Sequence, residues 1–385
     1  MQLVEHDGKS LLARHGIALP HRTLLGPDDE AAFEGEAMVK AQAAIGGRGK
    51  AGLVRRANSA SLAATVNAVR AAMRARGLAP WVLLEERVPI AAEHYLAITI
   101  DDVACAPRLL FALAGGVDIE AHAAAVHALH IDPLQGLVAH RVLGFLRDAG
   151  LAGNALGGVA RLASSLWQVF VAEDAELIEI NPLAITPEGR ALPLDAKVIT
   201  DDSADPRHPQ RAGLLSARLA RAALSERGRR AQDSHMTLVE MPGTIAMLTG
   251  GAGLGMATLD YLADAGLAPA CFVDGTGGAG EAAARAKALL VMDRARDPEI
   301  RGILVYSILA ATSLAGQARG ILAALQERPP GKPVVVGLTA AAAAERDMTA
   351  DAARAAFRAA GFPCFEELDD AVAELQRRIG VAACA

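Results

Sequence analysis

The last third of the chain alternates short apolar segments with longer helical ones. Helical patterns follow apolar runs at residues 244–248, 270–273, 303–306 and 333–338. Glycine turns follow the first two runs, at 250–255 and 274–278. Alternation of this kind predicts a doubly wound parallel sheet, in which ligands bind at the carboxyl ends of the strands. We therefore expect an α/β domain with a ligand site near these glycine turns.

The chain before residue 240 has a different rhythm, with helices and strands in mixed α+β order. We predict helices at 3–15, 59–76 and 160–170, and strands at 37–40, 81–85 and 95–100. Segments 176–180 and 191–194 predict a hairpin that turns at 186–189. The Ala- and Arg-rich stretch 210–233 predicts a connecting helix. We therefore place two domains at 1–238 and 239–385.

Composition narrows the class of protein. The 385 residues are 52% hydrophobic and 21% charged, which is typical of a globular enzyme. The net charge is −6 without a basic stripe, so we expect no nucleic-acid partner. The four cysteines are scattered, which fits a reducing, cytoplasmic location. No apolar run reaches about 18 residues and no apolar signal core is present at the start, so we expect no membrane span.

A glycine-rich basic loop follows the strand predicted at 37–40. Gly46, Gly47 and Gly49 let backbone N–H groups approach a phosphate closely, and Arg48 and Lys50 add positive charge. Lys40 lies at the end of the preceding strand. A surface hairpin with two basic residues would look the same, and the spacing is not that of a Walker loop.

A second polar signature lies at Glu179-Ile-Asn181-Pro182 and at Asp195. Asn181 and Asp195 are fourteen residues apart, and a hairpin between them would bring both to the same place. A carboxylate and an amide oxygen suit Mg²⁺, which completes its shell with water and phosphate oxygens. Alone, the pattern also fits a polar strand end with an ordinary proline turn. Together, the two signatures predict a nucleoside triphosphate with Mg²⁺.

At this level of detail the chain resembles the β subunit of succinyl-CoA synthetase (succinate–CoA ligase), a family that includes the malate–CoA ligase β subunit. The resemblance runs from Leu3 to the C-terminus. It rests on ordered motifs, which are Leu3-x-Glu5-x-x-x-Lys9-x-Leu11, Gly46-Gly-Arg-Gly-Lys50, Gly115-Gly-Val-Asp-Ile-Glu120, Ile131-Asp-Pro-Leu-Gln-Gly136, Glu179-Ile-Asn-Pro-Leu183, Asp201-Asp-Ser-Ala with Arg207-His-Pro209, and Gly251-Ala-Gly-Leu254.

The resemblance implies an ATP-grasp domain followed by a flavodoxin-like ligase domain. It implies the reaction of ATP, a carboxylate and CoA to acyl-CoA, ADP and phosphate, as in the tricarboxylic acid cycle. The family passes the phosphate through a histidine of a separate α subunit, which also carries the CoA site. This chain is consistent with a phosphorylated histidine on another subunit, because all its histidines lie at or before His235 and the predicted second domain contains none. Pro20 occupies a position that favours ATP over GTP in the family, although it is also an ordinary loop proline.

The resemblance also assigns roles by position. Lys40, Gly47, Arg48 and Gly49 match the phosphate contacts. Glu85 and Glu93 match nucleotide contacts, and Val88 matches the adenine hinge. Asn181 and Asp195 match the Mg²⁺ ligands. Glu179 matches the carboxylate that supports the partner's phosphohistidine, although it could instead be a solvated strand residue.

The second domain departs from the family at its substrate-binding turns. The family's Asn-Gly-Ala-Gly begins with Gly250 here, and its Gly-Gly-Ile is replaced by Leu309-Ala310-Ala311. Glycine leaves room for a bound oxyanion, whereas Leu309 brings a side chain. We therefore expect an altered acid specificity, with bulk at Leu309 in the acid pocket. A milder change lies at Asp274–Gly278, and Ala114 replaces a family glutamate.

Two alternative functions remain open at this stage. A Rossmann dehydrogenase would need Gly-x-Gly-x-x-Gly, but Met256 stands where the third glycine belongs. A regulatory subunit that binds nucleotide without catalysis would explain the altered turn at Leu309. Intact Lys40, Glu179 and Asp195 argue against that subunit.

Overall fold

The structure, a computed structural model, describes residues 1–116, 125–275, 280–310 and 312–381. Ala311 and the motif residues 117–120 and 276–278 lie outside the described residues. The chain divides into two compact units, Met1–Ala222 and Ala223–Ala385.

The first unit opens with helix α1 (Glu5–Arg14), which ends before Gly16 at φ +77° as its sequence predicts. An antiparallel sheet follows, in the order β1-β4-β2-β3. Its strands are β1 (Arg22–Leu25), β2 (Ala37–Ala41), β3 (Val54–Ala57) and β4 (Val82–Glu86). Helix α2 (Leu62–Arg74) covers one face, where Val66, Val69 and Met73 are buried against the strands.

A second antiparallel sheet of the same unit has the order β10-β8-β5-β6-β7, with β9 beside β8. Its strands are β5 (Ala92–Asp101), β6 (Ala106–Ala112), β7 (His127–His130), β8 (Ala175–Ile185), β9 (Ala191–Pro193) and β10 (Lys197–Thr200). Helices α3 (Ala139–Asp148) and α4 (Asn154–Ala172) pack on it. Within the described part of the chain, α4 alone has the length and apolarity of a membrane span. Its apolar side chains, such as Leu166 and Val169, belong to the core beneath the sheet.

The connection between the sheets of the two units is not the continuous helix predicted over 210–233. Two 3₁₀ segments, Asp202–Arg207 and Pro209–Gly213, precede the short helices α5 (Leu215–Ala223) and α6 (Glu226–Asp233). Ser225 interrupts the run because its hydroxyl caps α6, accepting a hydrogen bond of 2.9 Å from Gly228 N. Strand β11 (Thr237–Glu240) already pairs with the sheet of the second unit, whereas we drew the boundary after residue 238.

The second unit has the doubly wound sheet that the alternating pattern predicts. Its further elements are β12 (Ile245–Thr249), α7 (Ala252–Asp264), β13 (Pro269–Asp274), α8 (Glu281–Ala295), β14 (Gly302–Leu309), α9 (Leu314–Glu327), β15 (Val334–Ala340), α10 (Ala350–Ala359), β16 (Cys364–Phe365) and α11 (Leu368–Ile379). The strand order is β11-β13-β12-β14-β15-β16. Apart from the antiparallel edge strand β11, neighbours are parallel in the flavodoxin-like order 2-1-3-4-5.

Strand β14 is longer than its apolar run indicates. We predicted its end at residue 306, but Ile308 and Leu309 continue the pairing, opposite Thr339 and Ala340 of β15. Strand β12 ends at Thr249, opposite Tyr306, so the last three residues of β14 extend beyond the end of β12. The turn after β12 therefore lies at the point where the sheet order reverses.

Candidate functional site

A cavity of about 890 Å³ in the first unit gathers the residues of both polar signatures. Its walls come from α1, β2 with the following glycine loop, β4, β8 and the segment after β9. Its volume lies in the range of small-molecule sites, about 300–1,000 Å³. It is lined by every site residue predicted in this unit, namely Lys40, Gly47, Arg48, Gly49, Glu85, Val88, Glu93, Glu179, Asn181 and Asp195.

Lys40 is held at the end of β2 by two carboxylates and one carbonyl. Its Nζ donates to Glu5 Oε1 at 2.9 Å, to Glu85 Oε1 at 2.7 Å and to Leu194 O at 2.5 Å. Burial alone would lower the pKa of Lys40, but Glu5 and Glu85 raise it above its usual value. Lys40 is therefore a permanent cation in the cavity wall.

Arg48 ties the glycine loop to the far side of the cavity. Its guanidinium bonds both oxygens of Asp195 at 2.9 Å, approaches Glu5 Oε2 at 2.8 Å and donates to Ala41 O at 3.0 Å. Gly47 adopts φ +67°, a conformation that favours glycine. Both bonds to Asp195 come from the same nitrogen, Nη2, which also faces Glu5, so one end of the guanidinium holds the two carboxylates together.

Two charged residues of this site, Glu5 and Lys9, were not selected as site residues by the sequence analysis. They lie one turn apart on α1, and Lys9 Nζ contacts Glu5 Oε1 at 2.8 Å. Lys9 also pairs with Glu85 and donates to Leu194 O at 2.9 Å. Spacing of this kind is common for exposed ion pairs on helices, so only burial distinguishes this one.

The carboxylates and cations of the cluster balance in charge. Glu5, Glu85 and Asp195 face Lys9, Lys40 and Arg48. Burial alone would raise the pKa of Glu5, but Lys40, Lys9 and Arg48 hold it well below its usual range. The buried charges are therefore paired, which is what makes their burial tolerable.

The hairpin of β8 and β9 brings Asn181 and Asp195 to one end of the cavity. Leu183 pairs with Pro193, and the turn is closed by Thr186 N donating to Arg190 O at 2.9 Å. Asn181 Oδ1 accepts from Gly116 N at 2.6 Å, and its Nδ2 donates to Gly116 O at 3.1 Å. Carboxylate and amide oxygens are hard donors, so this pair fits Mg²⁺ chemically.

Glu179 lies midway along β8, flanked by Lys197 of β10 and Ala97 of β5. It is half-buried and faces the cavity beside Tyr95. Burial, together with the Glu179 carboxylate, raises the pKa of the Tyr95 hydroxyl. Glu179 thus presents a carboxylate to the cavity from a rigid strand.

The two remaining predicted residues of this unit lie along the same cavity. Glu93 belongs to β5, and a Cβ built on Gly116 would lie 3.3 Å from its Oε2. Val88 follows β4, in the stretch 86–90 that lines the cavity together with Glu93.

The predicted substrate residues of the second unit lie at the carboxyl ends of two neighbouring strands. Gly250 follows β12, Leu309 ends β14 and Ala310 follows it. The Leu309 side chain is only 5% exposed and packs in the core beneath the sheet, while its carbonyl accepts from Ala341 N at 2.8 Å. The expected bulk of Leu309 in an acid pocket is therefore wrong, because alternation along β14 turns this side chain inward.

The fold and the site together define the class of protein, an ATP-grasp domain joined to a doubly wound ligase-type domain. The ATP-grasp family model matches residues 2–185. The ADP-forming succinate–CoA ligase β subunit of Syntrophotalea carbinolica is 36% identical over 89% of this chain and 90% of its own length. The corresponding subunit of Rubrobacter xylanophilus is 37% identical over 88% and 89%. A GDP-forming relative from Thermus thermophilus is 34% identical over 90% and 92%.

The chain therefore belongs to the family of succinate–CoA ligase β subunits, which are β-type subunits of nucleotide-dependent CoA ligases. Among solved structures, the ATP citrate lyase of Methanothrix soehngenii in complex with citrate and coenzyme A shares the fold. It has a TM-score of 0.76 and 18% identity over 99% of this chain and 100% of that one.

Proposed function

We propose that the chain is the nucleotide-handling β subunit of a cytoplasmic carboxylate–CoA ligase. The overall reaction converts ATP, a carboxylate and CoA to acyl-CoA, ADP and phosphate. The phosphate passes through a histidine of a separate α subunit, which also carries the CoA site. The first domain binds ATP, and the second contributes to acid binding.

One observation carries this proposal: a single cavity joins a cationic loop and a pair of oxygen ligands. Lys40 and Arg48 offer charge to phosphate oxygens, and Gly47 and Gly49 line the cavity beside them, where backbone N–H groups suit a phosphate. Asn181 and Asp195 face the same space. Val88 and Glu93 line the same cavity, where we place the base and ribose.

Asn181 and Asp195 would hold Mg²⁺, which supplies charge neutralisation for the phosphate oxygens. In the structure Arg48 holds both oxygens of Asp195. We propose that Arg48 turns from Asp195 to the phosphates when the metal binds. The guanidinium then continues to face an anion, because its N–H groups can bond two oxygens of a phosphate as well as those of a carboxylate.

Glu179 is proposed to act on the partner's histidine rather than on the nucleotide. A carboxylate beside an imidazole fixes its tautomer and stabilises its cationic form. Its position on a central strand, between β10 and β5, gives it the rigidity that this role needs.

The acid substrate is proposed to differ from plain succinate. Leu309 and Ala310 occupy the place of the family's glycine pair, and β14 continues through Leu309. The structure does not support a steric block by Leu309. We therefore attribute the altered acid specificity to the backbone conformation at this position. A strand that is paired through Leu309 cannot form the open glycine turn that receives an oxyanion.

The test is phosphate transfer from Mg-[γ-³²P]ATP to the α subunit. The complete pair should carry label on an α-subunit histidine, and the purified β chain alone should make no acyl-CoA. Glu179→Gln should slow labelling on the order of 100-fold. Glu176→Gln, an exposed carboxylate on the same strand, is the matched control and should label normally.

Each other outcome has a definite meaning. Nucleotide binding without histidine labelling would favour the catalytically silent subunit. Acyl-CoA synthesis by the β chain alone would rule out the division of labour proposed here.

A further inference from the structure

Lys9 is buried directly behind Lys40. Its side chain is 0% exposed, and it is absent from the residues that line the cavity. The two ammonium groups share the same three partner residues, Glu5, Glu85 and Leu194. Lys40 therefore forms the cavity wall, and Lys9 forms the layer behind it.

The shared partners differ in which oxygen they offer. Lys40 takes Oε1 of Glu85, and Lys9 takes Oε2. On Glu5, both cations use Oε1, at 2.9 Å and 2.8 Å, while Oε2 faces Arg48 at 2.8 Å. Each carboxylate is thus fixed from behind by Lys9 and from the cavity side by a cation of the phosphate-binding set.

We propose that Lys9 is a positioning residue of the nucleotide site: it neutralises Glu5 and Glu85 from behind, which leaves Lys40 free to bind phosphate. This inference rests on the proposed function of the cavity in binding Mg-ATP. It adds a role that neither the motif pattern nor the relatives' names assign.

The charge balance explains why such a residue is needed. With Lys9 present, Glu5 and Glu85 still have one cation when Lys40 turns to a phosphate. Without Lys9, Glu85 would keep Lys40 as its partner in this cluster, and Glu5 would keep Lys40 and Arg48, so the two carboxylates would retain Lys40. The removal of Lys9 would also leave one additional negative charge in the cavity wall that faces a triphosphate. At the low effective dielectric of a buried site, that repulsion is strong.

The experiment compares ligands of different charge on the full-length chain. Lys9→Met removes the charge and keeps the length and apolar volume of the side chain. By calorimetry and competition, we expect its Kd for Mg-ATP to rise about tenfold or more. Because the base contacts lie elsewhere in the cavity, its Kd for adenosine should stay within about twofold.

A charge-balanced double variant separates positioning from general stability. In Glu5→Gln with Lys9→Met, one anion and one cation are lost together, so the wall is neutral again. Its Kd for Mg-ATP should return to within about threefold of wild type. Lys332→Met, which removes a lysine of the second unit that does not line the cavity, is the matched control for net charge and should bind Mg-ATP as wild type does.

The outcomes are distinct. Wild-type affinity for Mg-ATP in Lys9→Met would overturn the inference and leave the proposed function intact. Equal weakening of ATP and adenosine, with no recovery in the double variant, would show a merely structural role and also overturn it. If circular dichroism shows Lys9→Met unfolded, the double variant decides: weak Mg-ATP binding by a folded double variant refutes the proposal. A wild-type chain that binds no Mg-ATP would refute both proposals.

Discussion

At the scale of single residues, the site is held by ion pairs that the ligand must exchange. The Arg48 guanidinium donates hydrogen bonds to both oxygens of Asp195, the residue that we propose as a metal ligand. Metal and nucleotide therefore compete with bonds already made inside the protein. Such an exchange is energetically easiest when Mg²⁺ and phosphate arrive together, because each takes one partner of the broken pair.

Asp195→Ala should abolish the metal dependence of nucleotide binding. The variant loses an anionic oxygen ligand for Mg²⁺ and frees Arg48 for phosphate, so metal-free ATP should bind at least as well as in wild type. The gain on adding Mg²⁺ should fall by about tenfold or more. Calorimetry with and without Mg²⁺ measures it, with the exposed Asp148→Ala as control. An undiminished Mg²⁺ effect would contradict the assignment of Asp195.

Asp174 predicts a pH dependence of stability away from the site. Hydrogen bonds from Arg207 and then from His208 lower the pKa of its carboxyl to about 2. Since this lies below the unfolded value of about 3.9, the ionised carboxylate stabilises the fold above pH 4. That contribution is lost as the pH falls from about 4 towards 2.

Urea midpoints measured between pH 5 and pH 2 test this dependence. The wild-type midpoint should fall more steeply with acid than that of Asp174→Asn, which has no charge to lose. Parallel slopes for the two proteins would show that the Asp174 ion pairs contribute nothing to stability.

The sequence identified the part of the site whose residues need particular chemistry. The glycine loop can be recognised in the sequence because its glycines stand directly beside basic residues. Asn181 and Asp195 can be recognised because a hairpin between them would bring both to the same place. Glu5 and Lys9 were noted only as part of a family motif and were given no role in the site, because an oppositely charged pair one turn apart is ordinary on a solvated helix. Only the fold reveals that Lys9 is completely buried.

At the scale of elements, most apolar strands were predicted, but the polar edge strands and the largely apolar strand β6 were not. The predicted strands at 37–40, 81–85 and 95–100 and the β8–β9 hairpin are confirmed. The edge strands β3 and β7 were not predicted from the sequence. Each lacks an apolar alternation, because polar side chains occupy β3 at Arg55 and Arg56 and β7 at His127 and His130. Their pairing is specified by backbone hydrogen bonds to a neighbour, which a single sequence does not display.

Strand β14 carries the element-scale prediction. Leu309 is a core residue at the end of this strand, so Leu309→Ala should lower the free energy of unfolding by about 2–5 kcal/mol. Ile308→Ala is the matched control, because its side chain is 48% exposed on the opposite face and should change stability by about 0.5 kcal/mol or less. Denaturant unfolding measures both variants.

A different result would revive the steric interpretation of this position. If Leu309→Ala kept wild-type stability while changing the affinity for the acid, the leucine side chain would have to lie in the acid pocket.

At the scale of the whole molecule, the sequence changes once from a mixed α+β pattern to alternating strands and helices. The structure correspondingly has two compact units. Alternation after residue 244 was sufficient to predict the doubly wound sheet, because each apolar run is buried on both faces. Strand order and the continuation of β14 were not predictable in the same way. They depend on contacts between segments that are far apart in sequence.

The acid specificity is a prediction about the assembled enzyme. With the α subunit, a panel of mono- and dicarboxylates that includes malate and sulfonated analogues should give a substrate better than succinate. Because Leu309 is held in strand pairing, its backbone should not form the turn that receives an oxyanion, and the kcat/KM for succinate should fall by an amount equivalent to about 1–3 kcal/mol. The highest kcat/KM for succinate would refute the inference from these substitutions.

The carbonyl of Leu194, which both Lys9 and Lys40 bond, has a consequence for how the protein is synthesised. Lys9 leaves the ribosome 185 residues before Leu194, so this one partner of the buried lysine is added only after nearly half of the chain has followed it. A recombinant fragment cut at residue 185, where the ATP-grasp match ends, would include both lysines but lack Leu194 and Asp195. Such a fragment would lose the carbonyl that both lysines share and the Asp195 carboxylate that Arg48 bonds, so we expect it to be less stable than the full-length chain.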